Sequence, residues 1–337
     1  MESFRKACPM RSVPQTSKRS ASQWRCALWP LGSAAVLALT VALVLCVVSS
    51  DASAFKARNV VLVIVDGLRY SEGLGDPEHK YVPRMHELAQ EGATVEPFLN
   101  DRYTITARGI PAIWCGAWAD LKSVSNSGCS GGHITYCELP TAFEYYRKQL
   151  GRPEQDCIMA HCQVAEMWKG SIDPEYGPKY WPLYHCEDTG DVEVWEDARS
   201  LLETYHPTFF LLYLERVDHF AHTGSWTYYT RSIEIADSIV GALWDFLESD
   251  SVYAGATTLL VTNDHGRHTE DFSSHGDECE GCRTVQLLAV GPDVKTDFVS
   301  NIPRTICDIT PTIGLLLGFT ASKSTGSAMT ELFVSPE

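Results

Sequence analysis

Two apolar runs in this sequence stop at an acid followed by a residue that lets the chain turn away. Thr257-Thr258-Leu259-Leu260-Val261 leads through Thr262-Asn263 into Asp264-His265-Gly266, and Asn59-Val60-Val61-Leu62-Val63-Ile64-Val65 leads into Asp66-Gly67. A third run, Thr208 to Leu214, is followed by Asp218 and His222, and a Ser-Ser-His275-Gly loop lies beyond the first. Carboxylate with imidazole is a donor set for a hard-to-borderline cation such as zinc. A fifth candidate is Thr106, which opens a helix-like stretch. A hydroxyl there faces the positive end of the helix dipole; it is an ordinary cap in most proteins and a nucleophile in some metal sites. Taken together, Asp66, Thr106, Asp218, His222, Asp264, His265 and His275 suffice as the protein ligands of two metals.

Strands must deliver these groups. The three runs are continuous in apolar character, as parallel strands covered on both faces require. Helical stretches lie between and beyond them, predicted over 83–91, 140–149, 191–204 and 227–249, with a closing helix within 308–318. A short strand over 156–160 and a last one over 284–291 complete the pattern. Alternating strands and helices predict an α/β fold with a mainly parallel central sheet and helices on both faces, so that the ligands stand at carboxyl ends of strands. Residues 117–190, rich in Gly, Ser, Cys, Pro and aromatics, read as an elaborated segment bordering the site.

The chain has 337 residues, 45% hydrophobic, with a net charge of −16. Residues 1–26 read as a basic, disordered leader. Residues 27–49 form an apolar segment long enough to span a bilayer, with six basic residues before it, so the chain beyond is expected to cross the membrane. Ala52-Ser53-Ala54 resembles a signal-peptidase site; a signal-anchor and a cleaved signal peptide are both open readings. The expectation is a domain anchored outside the cytoplasm, or secreted. A catalytic domain over 55–322 and a tail over 323–337 follow. The body is too acidic for nucleic-acid binding. In an oxidising compartment several of the 12 cysteines should pair: Cys129 with Cys137, two among Cys157, Cys162 and Cys186, and Cys279 with Cys282 or with others.

The local motifs, in order, resemble the alkaline phosphatase superfamily, closest to its nucleotide pyrophosphatase/phosphodiesterase-like branch. The resemblance spans about 58–318. It rests on Val-Asp66-Gly-Leu-Arg, Thr106 ten residues before Gly116, Asp218-x-x-x-His222-x-Gly, Asn-Asp264-His265-Gly, His275-Gly, Asp237 in the long helix, and Ile-Thr-Pro-Thr-Ile-Gly-Leu-Leu-Leu-Gly near the end. It implies an alkaline-phosphatase-like fold and two divalent ions, zinc by preference. One would be held by Asp218, His222 and His275, the other by Asp66, Asp264, His265 and the Thr106 oxygen. It implies hydrolysis of a phosphate ester (nucleotide, lipid or small molecule) through a phospho-Thr106 intermediate. The family's phosphate-holding Asn is assigned to Asn126 and a further phosphate contact to Arg108. Thr104 is the rival nucleophile. Sulfatases of the superfamily need Cys or Ser at this position, so Thr106 argues against that activity. A phosphomonoesterase, a phosphoethanolamine-type transferase and a non-catalytic binding ectodomain are the competing readings.

Overall fold

A computed structural model describes residues 55–125, 133–162, 170–187 and 190–334, which fall within one compact unit. The leader, the apolar segment 27–49, the Ala52-Ser53-Ala54 site, Asn126 and Cys129 lie outside the described residues. Among the described residues, no helix is long and apolar enough to cross a membrane.

The core is an eight-stranded sheet. Its strands are β1 (Asn59–Val65), β2 (Ala93–Val95), β3 (Cys157–Cys162), β4 (Leu183–Glu187), β5 (Phe209–Leu214), β6 (Thr257–Thr262), β7 (Leu287–Val290) and β8 (Phe298–Ser300). The spatial order is β8-β2-β7-β6-β1-β5-β3-β4. β6, β1, β5, β3 and β4 run parallel. β7 runs against both its neighbours. The helices are α1 (Pro83–Glu91), α2 (Thr106–Cys115), α3 (Ala142–Leu150), α4 (Asp191–Tyr205), α5 (Arg216–His222), α6 (Trp226–Ser249), α7 (Glu280–Arg283) and α8 (Ile309–Leu317).

Alternate residues of β1 show why helices cover both faces. Val60, Leu62 and Ile64 join one core cluster with Ile110 and Ile113 of α2, Phe143 of α3 and Ile313 of α8. Val61, Val63 and Val65 join another with Met85 of α1, Ala198 of α4 and Val240 of α6. Every residue of β1, β5 and β6 is buried, as their unbroken apolar runs require.

The mainly parallel α/β expectation is borne out, with corrections at one edge. The run read as one strand over 284–291 is two: Thr284–Val285 pairs in a separate three-stranded sheet, and β7 turns antiparallel in the main one. Part of the segment set apart as a tail packs into the domain: Met329 and Leu332 are fully buried, and Ser324, Thr325 and Gly326 bond to Gly116 O. The cysteine pairings also change. Cys137, Cys157, Cys279 and Cys282 carry free thiols, so neither Cys129–Cys137, nor a bridge to Cys157, nor Cys279–Cys282 is formed.

Candidate metal centre

Register places the first ligands. β1 lies between β5 and β6, with Val65 opposite Leu214 and Ile64 opposite Thr262. Asp66, α5 and Asp264 therefore emerge side by side at the carboxyl edge of three adjacent parallel strands, where open α/β sheets keep their sites. Gly67 takes a φ of +65°, and a Cβ there would stand 2.7 Å from Asp218 Oδ1. Glycine is thus what lets the β1 turn approach α5.

Thr106 arrives from the other side of the sheet. It is the first residue of α2, whose cap residue Ile105 is extended. A Cβ at Gly109 would lie 2.8 Å from Asp264 O, so only glycine lets the first turn of α2 close against the β6 end. Asn100, fully buried, donates to both Tyr103 O and Asp264 O at 2.7 Å and holds the approach to the helix against the same strand end. The ten-residue spacing to Gly116 is the length of α2: Gly116 is its left-handed C-terminal residue.

The seven predicted ligands form two adjoining clusters. In the first, Thr106 Oγ1 lies 3.3 and 3.4 Å from the two Asp66 oxygens and 3.1 Å from His265 Nε2. His265 Nε2 is also 3.3 Å from Asp66 Oδ1 and 3.4 Å from Asp264 Oδ2. In the second, His222 Nε2 lies 3.2 Å from Asp218 Oδ2 and 3.0 Å from His275 Nε2, which is 3.4 Å from Asp218 Oδ1. The rings of His265 and His275 stack at 4.0 Å between centroids and join the clusters.

Three observations fit this donor set to cations. First, each inner histidine is oriented by a carbonyl. His265 Nδ1 lies 2.9 Å from Gly266 O, and His275 Nδ1 lies 2.8 Å from Thr104 O. A carbonyl can only accept, so Nδ1 carries the proton and Nε2 presents its lone pair to the cluster, the arrangement of metal-binding imidazoles. Second, Asp264 Oδ2 is buried with no hydrogen-bond partner, a cost that a cation would remove. Third, like charges crowd. Burial, then Asp264 and Asp218, push the Asp66 carboxyl well above its ordinary range, against the lowering effect of Tyr213. Burial also raises Asp264. Asp218 goes the other way. Burial acts to raise it, but the His222 hydrogen bond and the neighbouring His265, Arg267 and His275 outweigh burial. Carboxylates this close call for positive charge among them.

Sequence reasoning missed two residues of this site. Arg267, fully buried, donates from Nη1 to Asp218 Oδ1 at 2.6 Å and from Nε to Phe272 O, tying α5 to the loop that carries His275. Its place directly after Asp-His-Gly was the available signal. Tyr213 donates its hydroxyl to Asp66 Oδ2. It is the one side-chain polar group in the run Phe209–Leu214.

Other expectations do not meet the clusters. Arg108 lies over the Tyr103 ring, 4.7 Å from its centroid, and Asn126 is outside the described residues. The Thr104 hydroxyl, buried, donates to Asp277 O at 2.7 Å, which removes it as the rival nucleophile. Asp237, read only as the acid of the long helix, accepts from the backbone N–H groups of Arg84 and Met85 at 3.0 and 2.8 Å and caps α1.

Residues 183–321 match the family model described as the Metalloenzyme superfamily, a span that includes Asp218, His222, Asp264, His265 and His275. A search of curated proteins finds no match. Among solved structures, an inactive form of murine ectonucleotide pyrophosphatase/phosphodiesterase 5 in complex with AMP matches with a TM-score of 0.62 at 13% identity; the match covers 82% of this chain and 100% of that one. A 2-O GAG sulfatase matches with a TM-score of 0.62 at 13% identity, covering 82% of this chain and 74% of that one. The fold is alkaline-phosphatase-like, and it is shared by phosphodiesterase-type and sulfatase-type proteins.

Proposed function

We propose that this alkaline-phosphatase-like chain is a metal-dependent phosphoric ester hydrolase that acts on diesters or pyrophosphates with Thr106 as its nucleophile. The observation that carries the reading is the position of Thr106 Oγ1, within 3.1 to 3.4 Å of His265 Nε2 and both Asp66 oxygens. Asp66, Asp264, His265 and the Thr106 oxygen would hold one divalent ion, and Asp218, His222 and His275 a second, with zinc favoured by the nitrogen and oxygen donors. Such ions favour the alkoxide of a bound hydroxyl and offset charge on phosphoryl oxygens.

The chain's own residues do the rest. Asp66 accepts from the Thr106 hydroxyl and aims it, with His265 Nε2 3.1 Å from the same oxygen. Tyr213 fixes the Asp66 carboxylate from behind, and Arg267 fixes Asp218. The Thr106 oxygen bonds to phosphorus as the bond to the leaving oxygen breaks, and water then cleaves the phosphothreonine ester. A threonine at this position has no route to formylglycine, which favours phosphate over sulfate esters. The AMP bound by the murine neighbour makes nucleotide diesters the first substrates to screen. The apolar 27–49 segment would tether the domain on the far side of a membrane or direct its secretion.

The test is a side-by-side rate measurement on an aryl phosphate diester and the matching monoester, with zinc-loaded protein and Thr106→Ala. Faster diester turnover that vanishes in the variant supports the reading. Faster monoester turnover replaces it with a phosphatase. No turnover above the variant's background removes hydrolysis and leaves transfer or binding.

A further inference from the structure

Beyond the two clusters, four more ligating side chains converge where the loop after Arg267 meets the Cys279-Glu280-Gly281-Cys282 turn. His268 Nδ1 lies 3.3 Å from Cys282 Sγ, 3.6 Å from Cys279 Sγ and 3.1 Å from Asp277 Oδ2. The four donor atoms lie within 4.8 Å of one another. We propose that His268, Asp277, Cys279 and Cys282 form a separate, structural metal site for a tetrahedral zinc-class ion.

The distances carry the proposal. With zinc bonds of about 2.3 Å to sulfur and about 2.1 Å to nitrogen and oxygen, a tetrahedron has sulfur–nitrogen edges of about 3.6 Å and nitrogen–oxygen edges of about 3.4 Å. The observed separations are close to those edges. Two thiols, one imidazole and one carboxylate are also a closed set, with no position left for substrate.

The backbone around the cluster is built for this approach. Cys279 caps α7, and the N–H groups of Cys282 and Arg283 return to its carbonyl, so both sulfurs of the turn face one side. The turn is pressed against the 266–269 segment. A Cβ on Gly281 would lie 2.5 Å from Arg267 O, and one on Gly266 would lie 2.0 Å from Gly281 O. Neither position admits another residue without moving backbone. Arg69, itself paired with Glu72, fixes the partner segment from outside by donating to the carbonyls of His268 and Thr269 at 2.8 and 2.9 Å.

The site's role follows from its address. Asp277 is two residues past His275, and Cys282 is fully buried. An ion here would anchor the far end of the loop that presents His275, whose near end Arg267 already holds. Binding replaces both thiol protons and leaves one net negative charge on the four ligands and a dication. It also keeps two neighbouring sulfurs from closing a disulfide.

The test loads the full chain with cobalt in place of zinc and records the near-ultraviolet sulfur-to-cobalt charge-transfer band. The two catalytic clusters contain no sulfur, so the band reports only a thiolate site. The expected result is a band in the wild type that is lost in Cys279→Ser and Cys282→Ser, with bound metal falling by one equivalent per chain. Because Cys282 is buried, His268→Ala serves as a second, more exposed variant and should shift or abolish the band. A wild-type protein without the band overturns the proposal. So does a band that survives both cysteine changes, or mass spectrometry showing a Cys279–Cys282 disulfide in metal-loaded protein. None of these readouts depends on hydrolysis, so failure here and failure of the hydrolase reading are distinguishable.

Discussion

Thr106 and Arg267 act on the site in different ways, and substitution separates them. Thr106→Ala should cut turnover by on the order of a thousandfold or more while far-ultraviolet circular dichroism stays unchanged, because the hydroxyl supports no other residue's fold. Arg267→Met is different: it leaves the mostly buried Asp218 carboxylate with only His222 and His275 beside it. In metal-free protein it should cost about 3 kcal/mol in a urea unfolding curve. Zinc should restore part of that loss, since a cation can take over the charge that Arg267 balances. An Arg267→Met curve matching wild type without metal would show that this ion pair contributes nothing. The convergence of Asp66, Thr106, Asp218, His222, Asp264, His265 and His275 was legible because each follows a strand run or a short motif. Tyr213 was not, because its importance comes from Asp66, which it touches across the fold and no spacing records; Arg267 was marked only by its place after Asp-His-Gly, which does not show that it meets Asp218.

Helix α1 shows how an element can depend on a group far away in sequence. Its first residue, Pro83, has no N–H to satisfy, and the next two N–H groups find their acceptor in Asp237 on α6. The cap position carries Val82, which cannot serve. Burial pushes the Asp237 carboxyl up to about 6, against the pull of those two N–H groups. The folded protein therefore holds a proton that the unfolded chain has already released above its ordinary value near 4. Stability from this proton is complete below that value and is lost as pH rises through 6, by at most about 3 kcal/mol. Asp237→Asn should flatten the stability profile across that window in urea titrations at stepped pH, and an unchanged slope would assign the dependence elsewhere. Helix limits were legible at α1 from Pro83 and Gly92. The antiparallel turn of β7 was not, since a short buried apolar run reads alike in either direction.

At the scale of the whole molecule, the segment 323–333 closes the fold. Met329 and Leu332 are buried in the cluster that contains Ile113 and Ile313, and Lys323 forms an ion pair with Asp173 at 2.5 Å. Met329→Ala should cost about 2 to 5 kcal/mol in thermal or urea unfolding, as a core truncation does; a cost near zero would show this segment to be an appendage. Removing metal with a chelator should lower the melting temperature and abolish turnover together, and re-added zinc should restore both. At a thousandfold excess over its dissociation constant an ion adds about 4 kcal/mol to the folded state. The two kinds of cluster differ in how far apart their donors lie along the chain. The donors of the two adjoining clusters come from Asp66, α2, α5, the β6 end and the His275 loop, so no short fragment of the unfolded polypeptide holds more than a pair from either cluster. The Cys279–Cys282 turn with His268 and Asp277 is local enough to persist in an otherwise unravelled chain. Denaturant should therefore release metal in two waves, a cooperative one at global unfolding and a later one from a small knot, so that a zinc-sensitive dye would count surviving local structure after every other probe has gone flat.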